Sequence, residues 1–79
     1  MIREKKLYQI LTFSTTTAAI FMEKQCKEAG IPGRLIPVPR QITAGCGLAW
    51  RMTVEEYEIY QKDICKWNLR FEQTVTMAL

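Results

Sequence analysis

The chain has no histidine, and only three cysteines and three prolines. Without histidine there is no Ser-His or Cys-His catalytic pair and the commonest zinc ligand is missing. Any chemistry therefore rests on thiol, carboxylate, lysine, arginine or tyrosine. Cys26, Cys46 and Cys65 are odd in number and widely spaced, which argues against a disulfide framework and suits a reducing compartment. They form none of the close C-x-x-C pairs that anchor zinc or an iron–sulfur cluster, so no metal is expected. P-loop and dinucleotide fingerprints are missing too, as are internal repeats and low-complexity segments. The polar start MIREKK leads into no signal-like apolar run, and no stretch approaches the roughly 18 to 20 apolar residues of a membrane span. The expected compartment is the cytoplasm.

What is present fits one small domain, residues 1–79, with a core large enough for a sheet covered on one face. A net charge of +3 makes the surface mildly basic, short of what a nucleic-acid protein carries. The aromatic and branched run Leu7 to Phe13 reads as a strand, ending at the hydroxyl residues Ser14 to Thr17, which favour helix N-caps. A helix from Thr15 to Ala29 follows, with Ala18, Met22, Cys26 and Ala29 on its apolar stripe and Gly30 as its stop. Gly33 to Val38 is a short extended stretch, and Pro37 predicts an edge strand because proline cannot donate to a ladder.

Residues Pro39 to Gly45 form a loop. Beyond it, Gly47 to Met52 alternate, with Leu48, Trp50 and Met52 on one face and Gly47, Ala49 and Arg51 on the other. Thr53 and Glu56 have the spacing of a capping box, so a second helix begins there and runs to about Lys66. Its stripe is Val54, Tyr57, Ile64 and Trp67, and Asn68 is its stop. The last strand is read from Leu69, Phe71, Val75 and Met77 alternating with Arg70, Glu72, Thr74 and Thr76. The order βαββαβ predicts an α+β, ferredoxin-like sandwich: a four-stranded antiparallel sheet with two helices on one face.

Within ITAGCGLAW, Cys46 stands between Gly45 and Gly47, which leave it open to close approach by another molecule. The thiolate is the reactive form of cysteine, and nearby cations lower a thiol pKa. Arg40 and Arg51 lie within six residues, and Arg34 is brought toward the loop if strands two and three pair as a hairpin. Against this stands the plainer reading that Cys46 is a small residue in a tight turn. Cys26, on the apolar stripe of the first helix, and Cys65, beside Ile64 on the second, read as packing residues. Ser14 to Thr17 read as an N-cap without a ligand. Tyr8 and Trp50 stand where RNA-binding sheets stack bases, but GLAWRM lacks that module's glycine-aromatic pattern and alternation turns Trp50 toward the helices. Nucleic acid is therefore not the expected partner.

The run Glu28 to Arg40, EAGIPGRLIPVPR, followed by Cys46-Gly47-Leu48-Ala49, resembles the selenium/sulfur carrier-like family of small bacterial proteins. The similarity reaches back to LTFSTT and covers roughly residues 7 to 52. Pro39-Arg40 and Cys46-Gly47 match position for position, and Gly30, Pro32, Arg34 and Pro37 also fit. Thr43-Ala44-Gly45 replaces a serine-rich loop, and Trp50 stands where a smaller aliphatic residue is usual. The resemblance implies that Cys46 carries sulfur or selenium as a persulfide or selenosulfide, serving donor and acceptor proteins without a cofactor, as a carrier more than a turnover enzyme. The alternative is a noncatalytic interaction module, homodimeric in one form, with Cys46 structural.

Overall fold

The computed structural model describes residues 6–42, 47–69 and 71–79. Along the chain these form β1 (Leu7–Thr12), α1 (Thr16–Ala29), β2 (Arg34–Pro37), β3 (Leu48–Thr53), α2 (Val54–Lys66) and β4 (Thr74–Ala78). The sheet order is β2-β3-β1-β4, every neighbouring pair antiparallel, which is the ferredoxin-like βαββαβ arrangement. Each crossover helix links strands separated by one inserted partner.

Local chemistry sets the element ends. Thr15 caps α1 by accepting a hydrogen bond from the Ala18 amide at 3.2 Å, and Gly30 closes it in the left-handed conformation at φ 71°. At α2, the Glu56 amide donates to Thr53 Oγ1 at 3.1 Å and the Thr53 amide donates to Glu56 Oε1 at 2.9 Å, completing the capping box. Trp67 ends that helix, followed by Asn68 at φ 59°. β2 lies at the edge of the sheet, where Pro37 is tolerated.

The principal core lies between the helices and one sheet face. Leu11, Phe13, Trp50 and Met52 meet Ala19, Met22 and Cys26 of α1 and Ile64 of α2. On the α1 stripe Met22 and Cys26 are buried as expected, but Ala19 is buried where Ala29 is exposed. Trp50 is 2 % exposed on the helix side, as alternation predicts. A second, smaller cluster occupies the other face, where Ile10 and Ala49 are covered by Ile42 and flanked by Tyr8, Ile36, Val38, Val75 and Met77. The face without helices is thus partly roofed by the loop after β2.

The last strand is shorter than its alternation suggests. Leu69 and Phe71 pack on the helix side, Phe71 against Phe13 with ring centroids 5.5 Å apart, whereas Val75 and Met77 belong to the opposite cluster. The cause is a bulge: the Thr12 amide donates to the Gln73 carbonyl at 2.9 Å and the Glu72 amide donates to the Thr12 carbonyl at 2.8 Å. Two residues face one, which inserts a residue and reverses the phase.

Candidate functional site

The β2–β3 connection is held at its base and in its first half. The Val38 amide donates to the Gly47 carbonyl at 3.1 Å, and the Ile42 amide donates to the Pro39 carbonyl at 2.9 Å, closing a turn that contains Arg40. Arg40 is exposed, while Ile42 is 8 % exposed and packs on Ile10 and Ala49. A polar turn is thereby pinned to the sheet by one apolar side chain. Gly47 is exposed at φ 75°, with no atom within 4 Å of where a Cβ would stand. Its left-handed backbone is one that glycine adopts without strain.

Cys46 and Gly45, the centre of the sequence argument, lie outside the described residues, as do Thr43, Ala44 and Arg70. Arg34 and Arg51 do pair across the hairpin. They stand directly opposite each other, three positions along from the Pro37–Leu48 pair that borders the loop. At the strand rise this is about 10 Å from the loop's root. Arg51 also lies over the Tyr8 ring at 4.7 Å from its centroid, a contact between strands β3 and β1.

The other two thiols have different surroundings. Cys26 is fully buried, and desolvation pushes its thiol up to about 11 from an ordinary 9.0, so it stays protonated at neutral pH. Cys65 is exposed, contrary to the packing role expected for it. It follows the buried Ile64, and one helical step turns it about 100° away from the core. Among the described residues no group of three or more Cys, Asp or Glu is placed to hold a metal ion, and no helix is long and apolar enough to cross a membrane. A groove of ≈ 470 Å³ lined by Lys6, Leu7, Thr53, Val54, Glu55 and Glu58 lies at the other end of β3 from the loop.

Two features escaped the sequence reading. Ile42 gave no periodic signal, being a single apolar residue in a loop. The Tyr8–Arg51 contact depends on β1 and β3 being neighbours, although alternation along β1 already groups Tyr8 with Ile10.

The family described as "Putative Se/S carrier protein-like" matches residues 8–76. The chain belongs to this Se/S carrier-like family. The match runs from β1 into β4, so it takes in α2 and the last strand, beyond the segment whose motifs suggested the relationship. No curated protein and no solved structure matches the chain. Within this Se/S carrier-like chain, the Pro39-Arg40 and Cys46-Gly47 pairs border the one loop that leaves the sheet between β2 and β3.

Proposed function

We propose that the protein is a cytoplasmic carrier whose Cys46 thiolate accepts a sulfur or selenium atom from a donor protein and passes it to an acceptor. Membership of the Se/S carrier-like family over residues 8–76 carries this reading. The surroundings of the thiols support it: Cys26 is sealed in the core and Cys65 lies on the helix layer, whereas Cys46 adjoins an exposed glycine at the base of the loop. Gly47, with no atom within 4 Å of where a Cβ would stand, leaves room for a partner's reacting group.

In the uptake step the Cys46 thiolate attacks the outer sulfur of a donor persulfide. A new S–S bond forms on Cys46, the donor's S–S bond breaks, and the donor thiolate leaves with the electron pair. The proton on the transferred sulfur stays with it, so no outside oxidant, reductant or cofactor is consumed. Release reverses the step on an acceptor thiolate, and selenium follows the same course. Arg40 is the cationic residue within the loop sequence itself, and its charge favours the thiolate in this reading. Arg51 and Arg34 stand about 10 Å from the loop's root, near one Debye length in physiological salt, and add a screened positive charge on that side of the sheet.

The competing reading is a noncatalytic interaction module, favoured by the partly exposed apolar residues Ile36, Val75 and Met77 on the helix-free face. Intact-mass measurement after incubation with a small-molecule persulfide separates the two. In a Cys65→Ser background, which removes the exposed Cys65 thiol, the carrier gains the mass of one sulfur atom, reversed by a thiol reductant and abolished in Cys46→Ala. No gain, or a gain that persists in Cys46→Ala, rejects the carrier.

A further inference from the structure

We propose that Arg34, Arg51 and Tyr8 form a carboxylate-binding patch on the helix-free sheet face, docking an acidic, apolar-flanked peptide segment of the donor or acceptor protein. The proposal rests on the carrier reading for the partner's identity, but not for the binding itself.

The first observation is an uncompensated charge pair. Arg34 and Arg51 occupy directly opposed positions of β2 and β3, on the same face as Ile36 and Ala49. Like charges so placed weaken a sheet. Relief would come from an acidic neighbour, yet none of the four strands contains Asp or Glu. Among the described residues neither guanidinium makes a hydrogen bond or an ion pair. Carboxylates are concentrated on the opposite layer instead, where Glu23, Glu28, Glu55, Glu56, Glu58 and Asp63 ride the two helices.

The second observation is positioning. Arg51 is half-buried and stacked on Tyr8, which restrains a side chain that would otherwise lose much rotamer freedom on binding. Each guanidinium is a fork of N–H donors that a carboxylate accepts in bidentate fashion, and Arg34 and Arg51 supply two of them from facing strand positions. The flanks are apolar, with Ile36 on the β2 side and Met77 beside Tyr8 on the β4 side. Such a surface suits an acidic side chain between apolar neighbours. It suits RNA poorly, because Arg51 covers a ring face on which a base would stack, and two arginines give little grip on a phosphate chain.

The third is distance. About 10 Å separates the arginine pair from the loop's root, a span covered by three residues of extended peptide. A segment anchored by its carboxylate thus brings a residue three positions away to the edge of the Cys46 loop.

The test is an NMR titration of the full chain with a blocked peptide of alternating glutamate and valine. A lysine–valine peptide and oligouridylate serve as comparisons. Amide shifts are expected at Tyr8, Arg34, Ile36 and Arg51, with no binding of the lysine peptide. Affinity should fall about tenfold or more in Arg34→Gln/Arg51→Gln. Since Arg34 is exposed, Arg34→Gln alone gives a weaker loss in a protein whose helix-layer spectrum is unchanged. No binding of the glutamate peptide, shifts confined to the helices, equal affinity in the variants, or tighter oligouridylate binding at the same residues would each overturn the patch. Cys46→Ala should bind the peptide as tightly as the native chain. Failure of docking with normal sulfur loading, or of loading with normal docking, therefore identifies which of the two proposals is wrong.

Discussion

Gly33 lies flat against the indole of Trp50: a Cβ added at Gly33 would stand 2.6 Å from Cε2, Cζ2 and Nε1 of the ring. The ring is buried, so it has little space to retreat. Gly33 also has φ 137°, a conformation that side chains oppose. The turn into β2 therefore needs glycine for both contact and backbone. Gly33→Ala should cost about 1–3 kcal/mol by overpacking on top of its backbone penalty, measured by urea unfolding. Gly30→Ala meets no atom within 4 Å and should lose only the left-handed penalty of about 1–2 kcal/mol. Equal or reversed losses would contradict this account of the Trp50 contact.

Ile42 joins the loop to the sheet, so its truncation should loosen the loop and uncover the second cluster together. Ile42→Ala should destabilise the chain by about 2 kcal/mol, the low end for a buried isoleucine, because the cluster is small and lies near solvent. Hydrogen exchange at the Val38 and Ile42 amides should quicken, while α1 keeps its protection. A loss confined to the helix layer would mean that Ile42 does not serve as the loop's anchor.

The βαββαβ order was legible because its signals are local: Thr15 and Gly30 bracket one helix, the Thr53–Glu56 box opens the other, and Leu48, Trp50 and Met52 alternate between them. Contacts between distant segments were not. The bulge at Glu72 and Gln73 is created by Thr12, some sixty residues earlier, and nothing in the alternation of residues 69–77 announces it. Cys65 was misread because adjacency to Ile64 along the chain means opposite directions on a helix. At the candidate site, the glycine-flanked Cys46 and the arginines near it could be picked out by residue type. The face-to-face placement of Arg34 and Arg51 needed the hairpin register, and the stacking of Arg51 on Tyr8 needed a third strand.

Cys26 gives the protein a pH dependence with a definite sign. Its thiol titrates near 11 when folded and near 9.0 when exposed, so the unfolded chain loses its proton first. The stability that Cys26 contributes is complete below about pH 9 and is lost as pH rises toward 11. Cys26→Ala leaves a cavity and should be the less stable protein at pH 7. The gap between it and the native chain should narrow between pH 9 and 11 in urea unfolding series. A gap that stays constant would show that burial does not hold the proton on this sulfur.

The central claim is that Cys46 ionises readily because of its setting, and the rate of its alkylation by iodoacetamide against pH tests that claim most directly. In a Cys65→Ser background, with Cys26 shielded by the core, the account predicts a half-maximal rate below the ordinary thiol value of 9.0, moving upward in Arg40→Gln. A midpoint at or above 9.0, unchanged by Arg40→Gln, would contradict it.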